Sequence, residues 1–124
     1  MPPDLTQFLR GEIDEFHHAD HVRMAFEILH RHDFFDAAKS YSSALKQIAA
    51  RAGKPAAFHM TITVAFLALV AERMAETHHE DFLSFAAANP ELLDKTVLAR
   101  WYPPERLQTA IARATFILPN PGHA

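Results

Sequence analysis

The stretch AAFHMTITVAFLALVAERMAE, residues 56 to 76, constrains the fold more than any other part of the chain. From Ile62 to Ala71 it carries no charged side chain, and its apolar residues point to every side of a helix, so other elements have to cover it. The run MTITV within it is rich in β-branched residues, which lean toward strand. It continues into LALVAERMAE, whose composition favours helix for about three more turns. The expectation is therefore a central, buried helix over 56–76. Its apolar part falls short of the roughly 18 to 20 residues a membrane span requires.

The rest of the chain supports an all-α fold. Glycine occurs only three times in 124 residues, and no segment alternates apolar and polar side chains for long. A short element is expected near 4–10. A helix near 18–32 carries Val22, Ala25, Phe26 and Leu29 on one face, and a second near 34–52 ends at Gly53 with Pro55 forbidding continuation. A short helix near 80–88 follows the polar break THHED. Asn89 and Pro90 then have the pattern of an N-cap and first helical position for NPELLDKTVLARWY, and a last helix is expected over 104–114. The tail FILPNPGHA has two prolines and should not be helical. Residues 1–124 are expected to form one helical domain, a compact bundle with short C-terminal helices.

Composition removes several function classes. The absence of cysteine excludes disulfides, thiolate metal sites and a cysteine nucleophile. A formal net charge of −3 gives no Lys/Arg stripe for a nucleic-acid partner. The start MPPDLTQFLRGE has neither a basic nor an apolar leader segment, so a cytoplasmic protein without membrane attachment is expected. No Gly-rich phosphate loop, H-E-x-x-H, G-x-S-x-G or repeated Glu-x-x-His occurs.

What remains is histidine, nine residues of it. On a helical wheel His18 lies about 40° from Val22 and about 20° from Ala25, and His21 about 60° from His18, so both can face inward. His17 and His21 form a second pair at i,i+4. His59, taken as part of the central helix, lies about 40° from Thr63 and about 20° from Phe66, which lays a polar stripe into an apolar helix. A buried imidazole needs a partner, a ligand or a cavity. One reading satisfies His59 with Thr63 or a backbone carbonyl, and His59→Leu is then nearly neutral. The other brings His18, His21 and His59 together as ligands of a divalent metal such as zinc, iron or nickel, with an open position for water.

Tyr41, on the inward stripe of the second helix with Ala38, Leu45 and Ile48, and Thr63 would then orient substrate, with His59 as the catalytic base if no metal is bound. Thr61 is expected only to bond back to its own helix. His30 and His32 suit a helix C-terminus. His78, His79 and His123 fall in polar segments. Glu72 and Arg73 lie about 20 Å along the helix from His59 and should form ion pairs at the far end of the bundle. Arg100, Trp101, Tyr102 and Arg106 make an aromatic and arginine corner.

The segments HHADHVRMAF, FHMTITVAFLALVAERM, ANPELLD, PPERL and FILP together resemble a group of small, all-helical bacterial proteins described as uncharacterised. The resemblance spans about residues 16 to 119. It implies a bacterial cytosolic protein patterned on His18, His21, Arg23, His59 and Thr63, and it carries no activity. Two functions follow from the residues: a small metal-dependent enzyme or metal-binding protein, and a non-catalytic helical module that binds an apolar small molecule or forms a homodimer.

Overall fold

A computed structural model describes residues 4–13 and 16–119. All regular structure among them is helical: α1 (Leu5–Leu9), α2 (His18–Arg31), α3 (Phe34–Arg51), α4 (Met60–Glu76), α5 (Phe82–Ala88), α6 (Pro104–Leu107) and α7 (Ala110–Ala114). Three 3-10 turns, Pro55–Ala57, Pro90–Leu93 and Val97–Arg100, join the longer pieces. No helix among the described residues is long and apolar enough to cross a membrane.

Local chemistry sets most boundaries. Asp4, Asp33 and Asp81 each accept a backbone N–H three residues ahead, capping α1, α3 and α5. Asp20 accepts from the His17 N–H at 3.0 Å, closing the first turn of α2. Gly53 at φ 75° ends α3 in the left-handed conformation.

The apolar faces of these helices meet in one core. Val22, Met24, Ala25, Phe26 and Ile28 of α2 pack with Ala37, Tyr41, Ala44, Leu45 and Ile48 of α3. Between and across them lies α4, which also touches α7 and the last 3-10 turn and buries Phe66, Leu67, Leu69 and Val70. The expected central helix is thus present. At its far end Arg73 ion-pairs with Glu91 and donates to the Asn89 side-chain carbonyl at 3.1 Å.

Three helix expectations are corrected. The central helix begins at Met60, not at 56: Pro55–Ala57 form a 3-10 turn, and His59 has the extended backbone of an N-cap, φ −138° and ψ 112°. The segment after Asn89 is two 3-10 turns instead of one helix. Asn89 turns its amide to the Phe85 carbonyl and its oxygen to Arg73 in place of capping, and Asp94 spends one carboxylate oxygen on the Thr96 N–H and hydroxyl, a local turn that competes with helix. The last helix divides at Thr109, whose hydroxyl caps α7 through the Ala112 N–H.

Beyond α7 the chain leaves the helix in extended backbone at Thr115 and runs without regular structure to Pro119 as a strap. Thr61, fully buried, does not bond back to its helix as expected. Its hydroxyl donates to the Thr115 carbonyl at 2.8 Å and accepts from the Ile117 N–H at 3.1 Å. Tyr102 donates to the Ile117 carbonyl and Arg106 to that of Leu118. The aromatic and arginine corner therefore fastens the strap, while half-exposed Trp101 lines a small recess of about 240 Å³ with Phe116.

Candidate functional site

Where α2 and α4 begin, the two helices and the C-terminal half of α3 border an open cavity of about 660 Å³. The residues singled out from sequence, His18, His21, Tyr41, His59 and Thr63, all line it. Phe16, Phe58, Phe66, Leu45 and Ile62 supply apolar wall, and Lys54 and Lys95 complete the lining. Such a volume lies within the usual range for small-molecule sites, roughly 300 to 1,000 Å³.

Four of the polar side chains on this wall, His18, Tyr41, His59 and Thr63, are already spent on the fold. His59 is 7% exposed, and its Nε2–H donates to the Leu107 carbonyl at 2.6 Å while Nδ1 accepts from the Ile62 N–H at 3.1 Å. The imidazole is thus a helix cap and a cross-link from α4 to α6, with neither a lone pair for a metal nor one for a substrate proton. Thr63 donates to the His59 carbonyl at 2.7 Å, so it is the carbonyl, not the ring, that it satisfies. Tyr41 donates to the backbone carbonyl of His21 at 3.0 Å, and burial pushes its pKa far up, so its hydroxyl locks α3 to α2 and stays protonated. His18 bonds through Nε2 to the Leu92 carbonyl at 2.9 Å and packs its ring 5.4 Å from Phe66.

These bonds bear directly on the expected metal centre. No group of three His, Asp or Glu side chains among the described residues is placed to hold a metal ion. The set His18, His21 and His59 does not fit zinc, iron or nickel in this arrangement, because ligation needs a free imidazole nitrogen from each and His59 has none. In His59, Tyr41 and Thr63, for which catalytic roles are expected, each functional atom is hydrogen-bonded to backbone. His123 lies outside the described residues.

His21 is different. No hydrogen bond to its ring nitrogens is present among the described residues; the ring is tilted against Phe16, centroids 4.4 Å apart, and stacked 6.2 Å from His18. Burial, reinforced by the charge of His18 and opposed by Asp20, lowers its pKa from 6.5 to about 4. At neutral pH it is an uncharged imidazole in an apolar wall, able to donate from one nitrogen and accept at the other. So low a pKa makes it a weak base near neutrality, better suited to recognition than to proton abstraction.

Phe16, Phe58 and the two lysines were not singled out from sequence. Phe16 had a legible signal, an apolar residue just before an N-cap, the position of a hydrophobic staple. Lys54 and Lys95 sit in turns that no periodicity predicts. Elsewhere, His30 packs 4.4 Å from Phe26 at the end of α2 and His78 is exposed, but His79 is half-buried against Phe85, with Nε2 lacking a partner.

Comparison with known proteins adds no function to this geometry: no protein-family model, curated protein or solved structure matches the chain.

Proposed function

We propose that this protein is a helical small-molecule-binding protein that holds an apolar ligand in the cavity between α2, α3 and α4. The observation that carries the reading is the chemistry of the wall: a cavity of about 660 Å³ in which His59, Tyr41 and Thr63 are committed to backbone partners, leaving apolar surface and the uncharged His21 ring to meet a guest. Apolar walls supply affinity and one or two free polar groups supply orientation, the usual division of labour in small-molecule sites. The enzyme reading needs a free base or a ligand set, and the committed side chains favour binding over it.

The test is a fluorescence titration with the neutral apolar probe N-phenyl-1-naphthylamine on the wild type and on Ala49→Trp, which fills the α3 wall of the cavity from a half-buried position. Wild type is expected to enhance the probe's emission saturably. Ala49→Trp should weaken binding at least tenfold while keeping its helical circular dichroism. Equal binding by both proteins, or none by the wild type, refutes the reading.

A further inference from the structure

The charged side chains that line the cavity among the described residues are two lysines. The lining also contains four histidines, and no carboxylate among the described residues. This is unexpected for a chain whose formal net charge is −3. Two acids adjacent in sequence to the lining bond locally, Asp20 to the His17 N–H and Asp94 to the Thr96 N–H and hydroxyl, and act on the His21 and His18 rings through their charge alone. Lys54 and Lys95 are exposed, and no ion pair holds either of them among the described residues. Lys46 is a third cation on that side, its ammonium 5.3 Å from the Phe58 ring centroid.

The floor of the cavity is the reverse. Phe66, Leu45, Ile48 and Leu98 are buried apolar residues, and the polar side chains among them are the ones already bonded to backbone. A guest that suits both ends has an apolar body and an anionic head. Its body would lie against the phenylalanine rings and the α3 leucine and isoleucine. A lysine ammonium is a compact cation on a long flexible stem, able to reach a carboxylate at a cavity mouth without being buried itself.

We propose that the ligand is an amphiphilic carboxylate, its apolar part seated in the cavity and its carboxylate held at the mouth by Lys54 and Lys95. This deepens the small-molecule reading above and rests on it. The two lysines come from separate turns, one after α3 and one between the 3-10 turns. Binding therefore ties together two segments that the chain itself leaves unconnected by side-chain bonds at these residues. The preference for an anion weakens with ionic strength, because exposed charges are screened within about 10 Å at 0.1 M salt.

The experiment is competition against N-phenyl-1-naphthylamine by three ten-carbon compounds that differ only in the head group: decanoate, decanol and decyltrimethylammonium. Wild type and the double variant Lys54→Met, Lys95→Met are compared at low salt. In wild type, decanoate should displace the probe at a concentration at least tenfold below decanol, and the cation should be the poorest competitor. In the double variant, decanoate and decanol should displace the probe at concentrations within about threefold of each other, each read against that variant's own affinity for the probe. Equal competition by the acid and the alcohol in wild type, preference for the cation, or a decanoate preference that survives the double substitution overturns the carboxylate assignment and leaves the apolar pocket standing. Failure of the probe itself to bind overturns both.

Discussion

Acid should destabilise this protein in part through one imidazole. The pKa of His21 falls from 6.5 to about 4 on folding, chiefly through burial and then through the charge of His18. Between those two values the unfolded chain binds a proton that the folded chain refuses, so stability rises with pH across that window. The contribution is fully present above about pH 6.5 and is lost as the pH falls toward 4. At about 1.4 kcal/mol per pH unit the whole window corresponds to about 3 kcal/mol, and contact of the ring with the open cavity brings the expected value to about 2 to 3 kcal/mol. The assay is urea unfolding at pH 7.0, 6.0, 5.0 and 4.5 for wild type and His21→Phe, which keeps a ring against Phe16 and removes the titration. Groups distant from His21 contribute equally to both proteins and cancel in the difference, so the gap reads His21 together with its coupling to His18 and Asp20. The stability gap is expected to move by about 2 kcal/mol or more in favour of the variant between pH 7.0 and 4.5. Parallel pH profiles would refute the assignment of a neutral, desolvated imidazole at His21.

Three further outcomes test the framework around the cavity. His59→Leu should cost about 2 to 4 kcal/mol in denaturant unfolding, since it removes the cap on Ile62 and orphans the Leu107 carbonyl; His59→Asn, which can still cap, should cost about half as much, and a neutral His59→Leu would show that neither bond matters. Thr61→Val keeps the shape but strips both strap bonds, so it should lose about 1 to 3 kcal/mol and make Arg113 more accessible to trypsin, with an unchanged digestion rate as the contrary result. Gly11 and Gly53 both have positive φ, but a Cβ at Gly11 would come within 2.6 Å of Gln47 whereas one at Gly53 meets nothing within 4 Å; Gly53→Ala should therefore cost about 1 kcal/mol and Gly11→Ala measurably more, as read by thermal unfolding, and equal costs would argue against the close approach of α1 to α3.

The sequence by itself determined the helices whose signals are local. The apolar run of α4, the Gly53 and Pro55 stop after α3 and the inward stripes of α2 and α3 all depend on residues a few positions apart, and each appears in the fold with boundaries close to those expected. The same periodicity placed His18, His21, Tyr41 and Thr63 on inward faces, and they share one cavity with His59. Tertiary structure decided what those side chains do there. His18 is satisfied by a carbonyl 74 residues away, His59 by one 48 residues away and Thr61 by one 54 residues away. Those acceptors come from 3-10 turns, a short helix and an extended strap, where the chain has no repeating pattern to read. A helical wheel gives the direction of a side chain but not the backbone atom that will meet it, and for His59 even the wheel failed, because a cap residue leaves the helix before the period begins. His21 became distinct from His18, Tyr41, His59 and Thr63 only once packing had given each of those a backbone partner.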